Sequence, residues 1–158
     1  MNSNRTSQER KINFFFLLRV CLGILFVVSG TEKLVGPYQN FLYVVQSYKV
    51  LPDLLEEPVA RFFPWLELFV GMFVLLGLWL KSALVGAAAL LTTFVIVVGQ
   101  AIGRQLPITE CGCFGGLVSF PLPVTAMFDA TLLLLTSFLY RHMEKTTWLS
   151  LDHYFSEQ

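Results

Sequence analysis

Four apolar runs, each about as long as a membrane-spanning helix, constrain this chain more than any other feature. They cover residues 12–30, 62–80, 82–103 and 121–140. A helix needs roughly 20 apolar residues to cross a hydrocarbon core of about 30 Å, and it satisfies its own backbone hydrogen bonds in lipid. We therefore predict an all-α fold, an integral membrane four-helix bundle that forms a single domain over residues 1–158.

The amino-acid composition agrees with lipid as the main solvent. Hydrophobic residues make up 55% of the chain and charged residues only 14%, whereas soluble domains contain about 45–50% and about 25%. The formal net charge is zero, so the charge gives no reason to expect a nucleic-acid partner. The sequence has neither a glycine-rich phosphate loop nor a metal-type repeat of Cys and His, and we expect no metal site.

The first apolar run has a second interpretation, a cleaved secretory signal. Arg5, Arg10 and Lys11 precede it, as basic residues precede such signals. However, the run is long, Arg19 interrupts it and no small-residue cleavage site follows. A retained membrane span is therefore favoured.

The distribution of Lys and Arg predicts the orientation, because cytoplasmic flanks carry the excess of positive charge. With the N-terminus inside, the inner flanks hold Arg5, Arg10, Lys11, Lys81, Arg141 and Lys145, and the outer flanks hold Lys33, Lys49, Arg61 and Arg104 among several acidic residues. We expect a multi-pass protein of the cell inner membrane with both termini, including the tail 141–158, in the cytoplasm. The loop that carries Cys111 and Cys113 then lies on the outer, oxidising side.

The connection between the first two spans has the pattern of a short amphipathic helix. After Gly36 and Pro37, apolar and polar residues separate onto opposite helical faces. The apolar face holds Tyr38, Phe41, Leu42, Val45 and Tyr48. We predict a helix that lies in the outer interface or caps the bundle.

Three ionisable residues lie inside the apolar runs, where a charge costs about 2.5–3.5 kcal/mol on insertion scales. Arg19 is open to two interpretations, snorkelling to lipid phosphates or a buried ion pair. Pro64 suits the first turn of the second span, which would put Glu67 at the positive end of that helix in a structural or a catalytic role. Asp129 lies about 12 Å below the outer surface, so it should face the bundle interior, be paired or be protonated.

Polar residues from all four spans converge on the outer half of the predicted bundle. The first and second spans contribute Glu32, Lys33 and Glu67, and the third and fourth contribute Gln100, Arg104 and Asp129. The cysteine loop lies above them. This convergence indicates a functional site at that end.

The stretch "TECGCFGG" places Cys111 and Cys113 one glycine apart. Cys21, the third cysteine, lies near mid-membrane, so a disulfide to it is disfavoured, and a zinc site lacks ligands on that side. Inert packing of both thiols remains an alternative. A redox pair is favoured, because a Cys-x-Cys disulfide closes a strained ring, and strained disulfides are oxidising and labile. Arg104 could stabilise a thiolate there.

Several stretches in order carry a family resemblance. They are "RVCLGILFVVSGTEKL" in the first span, then "YKVLP" and "FFPWLELFVGMFVLLG", and last "CGCFGG". Together they resemble the MauE/DoxX-like family of small four-span membrane proteins, in particular its methylamine-utilisation MauE branch. The resemblance implies thiol-redox chemistry outside the cytoplasm beside thioredoxin-like partners, help in maturing a disulfide-containing, methylamine dehydrogenase-like protein, and a link to quinone. It also implies functional roles for Arg19, Gly30, Lys33, Glu67, Cys111 and Cys113.

The leading hypothesis is therefore a membrane thiol–disulfide oxidoreductase that exchanges electrons with a thioredoxin-like periplasmic protein and passes them to or from a quinone, with no covalently bound cofactor. The predicted catalytic residues are Cys111, Cys113, Glu67, Asp129 and Arg104, and the predicted quinone-site residues are Arg19, Lys33 and Gln100. Two rival hypotheses remain: a non-catalytic membrane assembly factor, and a small-solute transporter that uses Asp129 and Arg19.

Overall fold

A computed structural model describes residues 2–106 and 121–142, with side chains from residue 13 onward. Within these residues the chain forms five helices: α1 (Asn2–Val35), α2 (Tyr38–Ser47), α3 (Asp53–Leu76), α4 (Leu80–Gly103) and α5 (Leu122–Arg141). The predicted all-α fold with a short helix after the first span is confirmed. Cys111 and Cys113, together with the predicted tail beyond His142, lie outside the described residues.

Four of these helices are long and apolar enough to cross a membrane. The candidate spans are Asn13–Val35, Asp53–Leu76, Leu80–Gly103 and Leu122–Arg141. In the most apolar 18-residue stretch of each span, no more than 39% of the residues are buried inside the bundle. Most of their apolar side chains therefore face outward. Such an extensive apolar surface is normal only where lipid is the solvent. The chain is thus a membrane four-helix bundle.

Helix α3 begins well before the second apolar run. Pro52, in an extended conformation, precedes it, and Asp53 and Glu56 stand in its first turn, where acidic side chains favour the positive end of a helix. Pro64 consequently lies inside the helix, and the expectation that it occupies the first turn is wrong. Glu67 lies about four turns from the helix start, too far to serve as a helix-terminal carboxylate.

Helix α1 packs most extensively against α3, and two glycines bring their backbones together. A Cβ atom on Gly30 would lie 2.8 Å from the backbone nitrogen of Leu68, and one on Gly71 would lie 2.8 Å from Cβ of Phe26. Such distances leave no room for a side chain. The close approach allows polar side chains of α1 and α3 to meet inside the bundle.

One end of the bundle, which we call the α2 end, gathers the C-termini of α1 and α4, the N-termini of α3 and α5, and α2 itself. A buried apolar cluster stands there, formed by Tyr48, Val98, Ala101 and Leu122. Leu106 packs against the same cluster. Leu106 directly precedes residues 107–120, and Leu122 follows them after Pro121, so the described chain on both sides of that segment packs in this cluster.

Candidate functional site

A buried ion pair joins α1 to α3 near the α2 end. Nζ of Lys33 lies 2.6 Å from Oε2 of Glu67, and both side chains are almost entirely buried. Ser29 stands one turn before Lys33 on the same face of α1, because residues four apart are neighbours on a helix. Its hydroxyl accepts a hydrogen bond from Lys33 Nζ at 3.0 Å and donates one to Glu67 Oε1 at 3.4 Å. Both carboxylate oxygens of Glu67 are therefore engaged.

Two aromatic rings cover the Lys33 ammonium. Nζ lies 5.1 Å from the ring centroid of Phe94 on α4 and 5.4 Å from that of Phe41 on α2, within the range of a cation–π interaction. Lys33 on α1 thus contacts α2, α3 and α4. One cation joins four of the five described helices.

Asp129 on α5 shares a small cavity with this ion pair. The cavity has a volume of about 30 Å³, and Ser29, Glu67, Phe94 and Asp129 are among its lining residues. Asp129 is buried, with 5% of its surface exposed. Since a water molecule needs roughly 10–15 Å³ of such volume and polar partners, the cavity is large enough to hold a water molecule. Asp129 and Glu67 therefore border one small space inside the bundle.

A larger apolar cavity, which we call the α2 cavity, lies between α2, α3 and α4. Its volume is about 290 Å³, and its aromatic lining comes from Phe41, Tyr48, Phe63 and Phe94. Phe94 lines both cavities. The α2 cavity is close to the lower limit of about 300 Å³ for small-molecule pockets.

Arg19 is not part of this cluster. It is 1% exposed, and its guanidinium carbon lies 5.2 Å from the ring centroid of Phe16. Its burial excludes the snorkelling interpretation. Arg19 precedes Lys33 by about 21 Å along α1, so the structure does not bring these two predicted quinone-site residues together.

Arg104 and Gln100 lie at the end of α4 that leads into the cysteine loop. Arg104 is exposed, and its Nη1 donates a hydrogen bond to the backbone carbonyl of Lys49 at 3.3 Å. This contact ties the end of α4 to the connection between α2 and α3. Gln100 is half-buried and lines neither of the two cavities described above. The distance from Arg104 to Cys111 and Cys113 lies outside the described residues.

Sequence reasoning missed three residues of the site. Ser29 carries a detectable signal, because its spacing from Lys33 places both on one face of α1. Phe41 was predicted on the apolar face of α2, but not as a partner of Lys33. Phe94 had no signal of its own, since nothing distinguishes one phenylalanine of an apolar helix from another.

A comparison with known protein families assigns the chain to a family. The family model described as methylamine utilisation protein MauE matches residues 11–141. The chain belongs to the MauE family. The matched range includes every site residue discussed above, among them the two cysteines of the loop.

Individual MauE proteins are similar to parts of this chain. The methylamine utilization protein MauE of Paracoccus denitrificans is 35% identical over 97 residues, which are 61% of this chain and 52% of that protein. The MauE protein of Methylophilus methylotrophus is 38% identical over 74 residues, 47% of this chain and 39% of that protein. The chain spans about half the length of the curated relatives it matches. No solved structure matches it.

Proposed function

We propose that this MauE-family protein is a membrane thiol–disulfide oxidoreductase that helps to form disulfide bonds in a protein of methylamine utilisation. The observation that supports the proposal is the packing of the described chain on either side of the Cys-Gly-Cys segment. Leu106 precedes that segment and Leu122 follows it, and both pack in one apolar cluster at the α2 end. The buried Lys33–Glu67 pair of α1 and α3 belongs to the same end of the bundle.

The proposed reaction begins with thiol–disulfide exchange. A thiolate of a thioredoxin-like periplasmic partner attacks the Cys111–Cys113 disulfide and forms a mixed disulfide. The second thiolate of the partner then attacks this mixed disulfide. The partner is thereby oxidised to a disulfide, and Cys111 and Cys113 are reduced to a dithiol. The short ring of the Cys-Gly-Cys disulfide favours this direction, because strained disulfides are the more oxidising ones.

Regeneration of the disulfide requires an electron acceptor, and we assign that role to a membrane quinone. The dithiol gives up two electrons and two protons, and the quinone becomes a quinol. Arg104, at the end of α4 that precedes the cysteine segment, stabilises the thiolate form of the cysteine pair. Glu67 and Asp129, which line one small cavity, hold and move protons during this step. We place the loop on the outer face of the inner membrane.

The proposal is tested by thiol trapping in intact cells with a bulky, membrane-impermeant maleimide. We expect a shift of two thiols only after mild reduction, and no shift in the Cys111→Ser/Cys113→Ser variant. Two thiols that never oxidise, or a bond that resists reductant, would contradict a redox role. If Glu67→Gln and Asp129→Asn keep full activity while the double Ser variant loses it, the proton role is removed and the thiol role stands.

A non-catalytic assembly factor is the second candidate, and the geometry of the ion pair favours it. Hydrogen bonds within the bundle connect Lys33, Glu67 and Ser29 to one another. Such a closed network is typical of a purely structural role. In that case the cysteines would be permanently bonded or permanently free. Maturation of the partner protein at the normal rate in the Cys111→Ser/Cys113→Ser variant would select this candidate.

A further inference from the structure

We propose that the α2 cavity binds an acyl chain of a membrane phospholipid whose phosphate lies against Lys49 and Arg104. This site goes beyond the proposed function and does not depend on it, because the cysteines take no part in lipid binding. Three features of the molecule support the assignment. They are the residues that line the cavity, the level at which the cavity meets the bilayer, and two exposed cations beside it.

The lining of the α2 cavity suits a hydrocarbon chain. All of its residues are Val, Leu or Phe, except Tyr48 and Thr93. The hydroxyl of Thr93 already donates a hydrogen bond to the backbone carbonyl of Ala89, at 3.0 Å. A methylene chain needs no hydrogen-bond partner in such a space, whereas the carbonyl groups of a ring would each need a donor. The lining therefore favours a plain chain.

The protein itself does not fill this space. No residue of α2 is buried, although Phe41, Val44 and Val45 of that helix line the cavity. The walls of an apolar space of about 290 Å³ gain dispersion contacts only when apolar atoms lie against them. Water is a poor occupant, because it needs polar partners. Hydrocarbon from the bilayer is the occupant that supplies those contacts.

The cavity meets the bilayer at the level of the acyl chains. Thr93 lines the cavity and is exposed, and it lies about 15 Å along α4 from Gly103, where that helix ends. Tyr48 and Val98, farther towards the α2 end, line the cavity and belong to the apolar cluster there. The lining thus extends from the hydrocarbon towards the headgroups of one leaflet, which is the direction of a phospholipid chain.

Two exposed cations lie beside the cavity at the α2 end. Lys49 is exposed and stands between Tyr48 and Val50, which both line the cavity. Arg104 is also exposed, and its Nη1 donates a hydrogen bond to the backbone carbonyl of Lys49 at 3.3 Å. Ammonium and guanidinium groups bind phosphate oxygens well. An apolar cavity with cations at one end matches the two parts of a phospholipid, whereas a quinone has no anionic part.

The experiment titrates delipidated protein in micelles with palmitoyl-oleoyl phosphatidylglycerol and counts the bound lipid by native mass spectrometry. Val97→Trp should fill the cavity, and its control is Ile96→Trp, at a side chain that is 63% exposed. Lys49→Asn removes the charge beside the cavity. Asn tolerates the left-handed backbone of Lys49, with φ of 48°. Lys81→Asn, which removes an exposed charge at the opposite end of the bundle, is its control.

We expect one phosphatidylglycerol molecule to bind the wild-type protein and both control variants with equal affinity. The affinity should fall about tenfold in Val97→Trp, which corresponds to about 1.4 kcal/mol. It should fall about fivefold in Lys49→Asn, since one cation near a membrane surface contributes about 1 kcal/mol. The elution volume in size-exclusion chromatography and the thermal midpoint of each variant show that it is folded.

Equal affinities of Val97→Trp and Ile96→Trp would place the lipid outside the cavity and overturn the inference. Equal affinities of Lys49→Asn and Lys81→Asn would overturn the binding of the phosphate. Two further measurements use the wild-type protein, so they decide even if Val97→Trp does not fold. Displacement of the lipid by an equal concentration of ubiquinone-1, or equally tight binding of palmitoyl-oleoyl glycerol, which lacks the phosphate, would contradict a phospholipid site.

The lipid site and the proposed function are tested separately. The Cys111→Ser/Cys113→Ser variant should bind phosphatidylglycerol as tightly as the wild-type protein does. If the cysteines cycle between dithiol and disulfide but no lipid binds, the proposed function stands and this inference fails. If the lipid binds but the cysteines never oxidise, the lipid site stands and the proposed function fails.

Discussion

At the scale of single residues, the Lys33–Glu67 pair is the most consequential contact in the described part of the chain. Two charges have been removed from both water and lipid headgroups, and they compensate each other at 2.6 Å. Removal of one member of a buried pair leaves a charge without compensation, whereas removal of both often costs little. Stability measurements on this pair therefore have a definite expected pattern.

We predict that Glu67→Gln and Lys33→Met each destabilise the bundle by about 3–5 kcal/mol, because each leaves its partner charged and buried. The Glu67→Gln/Lys33→Met double variant should be clearly more stable than either single variant. Reversible unfolding in mixed micelles measures the free energies. Additive losses in the double variant would show that the two charges do not stabilise each other.

Ser29 connects the same two side chains through its hydroxyl. We predict that Ser29→Ala costs about 1–3 kcal/mol, because it removes an acceptor of Lys33 and a donor to Glu67 inside the bundle. Ser137→Ala is a matched control, since the Ser137 hydroxyl is exposed and donates to the backbone carbonyl of Leu133 one turn earlier on α5. The unfolding assay should show a loss for Ser29→Ala and almost none for Ser137→Ala. Equal losses would contradict the bridging role of Ser29.

At the scale of helices, glycines fix the distance between α1 and α3. We predict that Gly71→Ala destabilises the protein by about 1–3 kcal/mol, because its Cβ atom would collide with Phe26 and the helices must move apart. Movement of α3 away from α1 would also lengthen the Lys33–Glu67 contact. The readouts are the free energy of unfolding and the rate of disulfide cycling.

Gly99→Ala is the control for this prediction, since a Cβ atom there meets nothing within 4 Å. Alanine has the higher helix propensity in water, so this variant should keep or gain stability. A loss as large as that of Gly71→Ala would mean that the effect arises from the helix backbone and not from the contact between α1 and α3.

The elements themselves were largely predictable from the sequence, whereas the contacts between them were not. The apolar runs and the 3.6-residue spacing of α2 are patterns of residues that are close together in the sequence. They can therefore be recognised from the sequence alone. The start of α3 was misjudged, because its first turns are polar and Pro64 looked like a boundary. Lys33 and Glu67 were assigned to the same end of the bundle, but their pairing depends on how α1 and α3 are rotated about their axes.

The two cavities were beyond sequence reasoning for a similar reason. Phe94 is one of many apolar residues on α4, and its place in the lining of both cavities results from the packing of several helices. By contrast, Asp129 was correctly expected to need an interior environment, since a carboxyl group in an apolar run has few alternatives. The roles of Cys111 and Cys113 stay predictions.

At the scale of the whole molecule, the two ends of the bundle should face opposite sides of the membrane. We predict that Tyr43→Cys on α2, in a chain whose native cysteines are replaced by Ser, reacts with an impermeant maleimide in intact cells. Trp79→Cys, in the turn between α3 and α4, should react only after permeabilisation. Both native side chains are exposed, by 72% and 76%, so access depends on the side and not on burial.

The reverse labelling pattern would place the α2 end in the cytoplasm and exclude exchange with a periplasmic partner. Labelling of both positions in intact cells would contradict the spanning of the membrane by α3. Permeabilised cells provide the control for the reactivity of each introduced cysteine.

The Lys33–Glu67 pair also has a consequence for biogenesis. The two residues are separated by 34 positions in the chain, and at synthesis rates of about 5–20 residues per second Lys33 is made roughly 2–7 s before its counter-charge. We expect its ammonium to stay with the lipid headgroups at the end of α1 during that interval. The arrival of α3 would then draw Lys33 inward, and the final depth of the first helix in the bilayer would be set only when the second span has been inserted beside it.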